Sequence, residues 1–250
     1  MRILITNDDG VYSPGLLALA EVARKFGEVR VFAPDVEMSS AAQSITASRP
    51  LSCKATLLPG VTAFRVNGTP SDCVMLGTSL WEKVDVVLSG INIGSNLGNA
   101  MWHSGTLAGA RQAAMLGLRG IAFSAPSTEH AQPDFRLLKP WARTVLEALL
   151  KARELTLVNV NFPDKLPHGI QWTRQSVRHY DGKVVPAKDP MGRRHYWFTV
   201  IPVESTDEGT DRWAVEEGYV SMTPLSLDLT EHKQLEKVRK LETWEALSFH

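Results

Sequence analysis

The chain has 250 residues, 44% hydrophobic and 8% aromatic, which is ordinary globular composition for one large domain or one domain with an appendage. Its 27 Lys+Arg balance 27 Asp+Glu, so a chain-wide basic footprint for a nucleic acid polymer is excluded, as is an acidic tail for basic partners. No apolar run approaches the about 18 residues of a membrane-spanning helix, and the polar Asn7-Asp8-Asp9 comes too early for a signal peptide, so neither a secretory signal nor a membrane partner is expected.

Ile3-Leu4-Ile5-Thr6 reads as a buried strand. Leu16, Leu19, Ala20, Ala23 and Phe26 then mark one face of a helix that Gly27 stops. Val29 to Ala33 is the next strand, ended by Pro34; Pro70 to Trp81 is a helix with proline at its start, and Val84 to Leu88 a strand. Ser104 to Leu116 is a helix of small residues (Ala108, Ala110, Ala113, Ala114), followed by strand Gly120 to Ser124, helix Leu138 to Ala152 and strand Leu155 to Val160. Strands without polar alternation, each followed by a helix, specify an α/β fold with a doubly wound, mostly parallel sheet covered on both faces.

The pattern changes near residue 163, so residues 1–163 are expected to form the core with the active site and 164–250 an extension. Gln171 to Val200 carries aromatic strands around the turn signals Asp181-Gly182 and Asp189-Pro190-Met191-Gly192, and reads as β-hairpins. Its Tyr196-Trp197-Phe198 is a packed aromatic face on a solvated hairpin or, alternatively, a surface that stacks a base. Glu231 to Leu247 is a charged helix with Leu235, Val238, Leu241 and Trp244 on a drifting stripe, broad enough to predict association between copies of the chain. Cys53 and Cys73 are the sole cysteines, too few for a disulfide framework or a thiolate zinc site, and read as two core thiols or, alternatively, as one disulfide.

Ligands of open parallel sheets bind beyond the carboxyl ends of the strands. Three polar loops fall there: Asn7-Asp8-Asp9-Gly10, Ala33-Pro34-Asp35 leading to Ser39-Ser40, and Ser89 to Gly98 leading to His103-Ser104-Gly105-Thr106. Adjacent carboxylates repel, and with Ser and Asn oxygens nearby and no Cys or His cluster the matching counter-ion is a hard cation, Mg²⁺, Mn²⁺ or Ca²⁺. The plainer alternative makes one Asp a helix cap and leaves the other solvated. Ser104-Gly105-Thr106, with hydroxyls and bare N–H groups at a helix start, suits an anion such as phosphate. Gly90 to Gly98 matches neither a dinucleotide fingerprint nor a P-loop, which disfavours an oxidoreductase. A haloacid-dehalogenase-type phosphatase requires Asp-x-Asp, whereas Asp8 and Asp9 are adjacent.

Asn7-Asp8-Asp9-Gly10, Ala33-Pro34-Asp35 with Ser39, and Ser89-Gly90-Ile91-Asn92 with Gly94, Asn96 and Gly98 together resemble the SurE family of stationary-phase survival nucleotidases. Gly68-Thr69-Pro70, Ser104-Gly105-Thr106, Gly209-Thr210-Asp211, Glu217 to Ser221 and Thr223 to Thr230 continue the resemblance in order along nearly the whole chain. The resemblance implies a Rossmann-like core and a cytoplasmic, divalent-metal-dependent phosphomonoesterase. Its substrates would be nucleoside 5′- and 3′-monophosphates and in some members short polyphosphate. It also implies homodimers or homotetramers that exchange carboxy-terminal elements. Carried over residue by residue, the metal ligands are Asp8, Asp9, Ser39 and Asn92, and the phosphate contacts Asn96, Ser104, Gly105 and Thr106. Asp8, Asp9, Asn96 and Ser104 are the expected catalytic set. The chain departs from the family at Ser39-Ser40, where Ser-Gly is common, and at His103, where Tyr is common. Outside the resemblance, the second reading is a nucleotide-binding regulatory module without hydrolysis.

Overall fold

The computed structural model describes residues 1–127, 132–177, 180–202 and 206–241. Six parallel strands form the centre of its main sheet: β1 (Arg2–Thr6), β2 (Glu28–Pro34), β4 (Val61–Val66), β5 (Val86–Ile93), β6 (Arg119–Ala125) and β7 (Leu157–Asn161). An antiparallel strand β3 (Cys53–Leu58) lies outside β4, and β11 (Tyr219–Pro224) and β8 (Gly169–Trp172) lie outside β7, giving the order β3-β4-β2-β1-β5-β6-β7-β11-β8. Ile3, Leu4 and Ile5 are all fully buried, so both faces of β1 must be covered. Ile3 and Ile5 join the cluster under helices α1 (Pro14–Ala23) and α4 (Phe135–Lys151), while Leu4 joins Cys73 and Val74 of α2 (Pro70–Leu80) on the other face. The doubly wound reading therefore holds, and the six central strands run in the Rossmann order.

Helix α3 (Gly105–Met115) shows why its sequence is rich in small residues. A Cβ on Gly109 would stand 2.7 Å from Thr6 Cγ2 and 2.8 Å from Ser89 Oγ. The helix lies so close to β1 and β5 that a larger residue there would push its first turn off the strand ends.

Three expectations shift. Ser89 to Ile93, expected as loop, continues β5, with an irregular register between Ser89 and Asn92. Asp181-Gly182 is no turn: both residues lie inside β9 (Tyr180–Lys188), which pairs with β10 (Arg194–Pro202) as a separate two-stranded sheet turning at Asp189–Gly192. Gln171 and Trp172 belong to β8 of the main sheet and not to that hairpin. The described part of the final helix, α6, is His232–Leu241; Trp244 lies outside the described residues.

Candidate active site

The main sheet changes direction of winding between β1 and β5, and strand ends diverge there to open a crevice. A cleft of about 590 Å³ occupies that place. Of the expected residues, Asp8, Ser39, Asn92, Asn96 and Ser104 line it, as do Ser40 and His103. Asp9, Gly105 and Thr106 do not line it: Gly105 and Thr106 are buried, and Asp9 is half-buried next to Asp8. Asp9 Oδ2 accepts the Ile93 N–H at 3.2 Å, and Thr106 is fully buried with its hydroxyl donating to Asp8 Oδ1 at 2.5 Å. A Cβ on Gly105 would lie 2.8 Å from that of Asp8, so the first turn of α3 rests directly on this carboxylate. Ser104 caps α3, its Oγ accepting the Leu107 N–H at 3.0 Å. Capping and ligand binding are compatible, because the accepting hydroxyl keeps a proton to donate.

Burial raises the Asp8 carboxyl above its ordinary value against the opposing bond from Thr106. Burial, then the neighbouring charge of Asp8, pushes Asp9 up to about 7. Both carboxylates thus sit where negative charge is unfavourable, and no Lys or Arg lines the cleft among the described residues. Among the described residues no cluster of three or more His, Cys, Asp or Glu exists, so any cation here would be held by two carboxylates and neutral oxygens. Mutually repelling carboxylates, one buried and one half-buried, with the oxygens of Asn92 and Ser39 on the same cleft fit a hard divalent ion and not a thiophilic one. Ser39 Oγ donates to Glu37 at 2.6 Å, and Ser40 holds a left-handed φ of 60°, a conformation that favours glycine. Asn92 Nδ2 donates to the Gly94 carbonyl at 2.8 Å, which fixes the amide and leaves Oδ1 as the atom that could meet a cation.

Four contributors escaped the sequence reading. Asn161 Oδ1 accepts the Asn96 N–H at 2.8 Å while its Nδ2 donates to the Asn96 carbonyl at 3.1 Å, so one side chain grips both backbone groups of Asn96. Asn159 adds a second donor to that carbonyl at 2.8 Å, and the Asn96 amide donates to Ser124 Oγ at 2.8 Å. Asp211, fully buried at the start of α5 (Asp211–Glu216), accepts the Gly98 N–H at 2.8 Å and ties the same loop to the carboxy-terminal half. The available signal was Asn159 and Asn161 alternating with Val158 and Val160: two amides on a strand otherwise composed for burial.

Comparison with known proteins bears on this geometry. The family model "Survival protein SurE" matches residues 3–182. The 5′-nucleotidase SurE 1 of Thermus thermophilus is 46% identical over 247 residues, 96% of this chain and 98% of its own. The 5′-nucleotidase SurE of Deinococcus radiodurans is 41% identical over 237 residues, 92% of this chain and 88% of its own. A crystal structure of the SurE protein from Aquifex aeolicus superposes with a TM-score of 0.83 at 39% identity, covering 96% of this chain and 99% of that one. With a matching family model, near-complete relatives and a shared fold, the chain belongs to the SurE family.

Proposed function

We infer that this chain is a 5′-nucleotidase that hydrolyses nucleoside monophosphates to nucleoside and phosphate and depends on a divalent metal ion. The observation that carries the reading is the adjacent carboxylates at the sheet's switch point, Asp8 buried against the amino terminus of α3 and Asp9 half-buried beside it on the Ile93 N–H, in a chain whose near-complete relatives are named 5′-nucleotidases. Asp8, Asp9, Ser39 and Asn92 would hold the ion, with Mg²⁺ or Mn²⁺ first and Ca²⁺ third by donor chemistry. When bound, the ion supplies positive charge to the phosphoryl oxygens. Asn96 and Ser104 would donate side-chain hydrogen bonds to the phosphoryl group, and the Gly105 N–H at the start of α3 would receive its negative charge, whereas the Thr106 N–H and hydroxyl both turn to the Asp8 carboxyl and would act through it. The Asp pair would orient water for in-line attack; Ser104 is engaged as a cap, so direct hydrolysis is proposed and not a phosphoenzyme.

We extend the reading to 3′-monophosphates and short polyphosphate as further substrates, to the cytoplasm as location and to a homodimer or homotetramer as the working form. Among the described residues no helix is long and apolar enough to cross a membrane. The test is phosphate release from a panel of ribo- and deoxyribonucleoside monophosphates with Mg²⁺, with Mn²⁺ and with chelator. Release with metal and none with chelator is expected; nucleotide binding without any release would replace the enzyme with a regulatory module.

A further inference from the structure

We propose that Phe198, carried to the cleft by the β9–β10 hairpin, is the stacking platform for the nucleobase, which makes this hairpin the base-recognition element; the proposal rests on the nucleotidase reading. The cleft is lined by two chemistries. Asp8, Asn92, Asn96 and Ser104 present oxygens and amides, whereas Phe198, Ile93 and Ala100 present apolar surface. Its about 590 Å³ lies within the roughly 300–1,000 Å³ of small-molecule sites and leaves room beyond a phosphoryl group for a nucleoside.

Phe198 is 66% exposed, an aromatic ring without cover on the wall of a ligand-sized cleft. Its position is set by the facing strand. Phe198 pairs with Val184, and the ring leans diagonally across to residue 182. A Cβ at Gly182 would stand 2.3 Å from Phe198 Cζ, so only glycine leaves the space the ring fills. This is the structural use of a glycine that the sequence alone suggests is a turn: it lies mid-strand and seats an aromatic side chain. A seated ring loses little freedom when a base lands on it, which favours binding. Stacking is also tolerant of base identity, because every base has a π-face. The site should therefore accept purines and pyrimidines and discriminate chiefly against esters that lack a base.

The test compares adenosine 5′-monophosphate with ribose 5-phosphate, by kcat/KM with metal and by calorimetric binding under chelator. Phe198→Ala should lower the preference for the nucleotide on the order of tenfold, the scale of one base–aromatic stack. Gly182→Val, which displaces the ring without removing it, should do the same, and Phe198→Trp should restore the preference. An equal loss on both esters overturns the proposal and makes the hairpin a structural support. An unchanged preference overturns it too, as does a loss that follows a change of oligomeric state by light scattering, which would assign the ring to a contact between chains. If the wild type hydrolyses neither ester yet binds the nucleotide in a Phe198-dependent way, the nucleotidase reading falls and the stacking platform stands.

Discussion

At Asp9 the chemistry of the site and the stability of the fold are coupled. Its folded-state pKa is raised to about 7 from an unfolded value of about 3.9, so between those values the native state binds more protons than the unfolded chain. Stability in metal-free protein is accordingly greatest below the unfolded pKa and falls as pH rises through the folded one. The expected outcome is a higher melting temperature at pH 5 than at pH 7.5 under chelator, a slope that Asp9→Asn flattens. Added divalent metal should raise the melting temperature of the wild type with concentration and nearly fail to do so in Asp9→Asn, which should also lose almost all turnover. Were Asp9 a helix cap, Asp9→Asn would lose stability and keep both metal response and activity. Ser104→Ala is a second measure at this scale: losing a donor to a charged phosphoryl oxygen should cost about 1–3 kcal/mol in kcat/KM, with the fold intact. Asp8, Asp9 and Ser104 were legible in the sequence because each follows a strand or opens a helix. Asn159 and Asn161 were not, because they act on Asn96 from 63 and 65 residues away, through a sheet order that short-range pattern does not encode.

Among the elements, β7 does two jobs: its valines fill the core, and its asparagines hold the loop that carries Asn96. Asn161→Ala removes the acceptor for the Asn96 N–H, whereas the Asn96 carbonyl keeps Asn159 as a donor. One buried donor left unpaired should cost about 1–3 kcal/mol, read as a lower urea midpoint at constant m-value. Turnover should fall along with it, because the Asn96 side chain is no longer held over the cleft; full activity in a destabilised Asn161→Ala would make the clamp purely structural. The strands most readable from sequence are those buried on both faces, where Ile3 to Ile5 or Val86 to Leu88 leave no polar alternation. The edge pair β3–β4 is half exposed and mixes Lys54, Thr56, Thr62 and Arg65 among its apolar residues, so its periodicity is weak. Hairpin β9–β10 was legible at its turn and misread at Gly182, since a glycine chosen for a cross-strand ring looks locally like a glycine chosen for a turn.

For the molecule as a whole, the unbalanced feature is apolar surface in the carboxy-terminal half. Leu229 is 71% exposed and Val238 of α6 50% exposed, although α6 carries Leu235 and Val238 on one stripe, the arrangement of a helix with a face to bury. Tyr196 and Trp197 on the hairpin are exposed as well. Solitary exposed leucines are ordinary, whereas several large side chains on two extensions of one chain are the pattern of a surface that meets another chain. A second copy of the same chain is the economical partner, because closed symmetric homo-oligomers bury equivalent patches on every subunit. The expectation is that the full chain scatters light as a dimer or larger, with a melting temperature that rises with protein concentration. A truncation ending at Thr230 removes α6 and should lower both the mass and the concentration dependence, while the parallel core and its Asp pair stay folded. A truncated chain of unchanged oligomeric mass would move the interface to the hairpin, and a monomeric full-length chain would mean that the stripe on α6 serves no association at all.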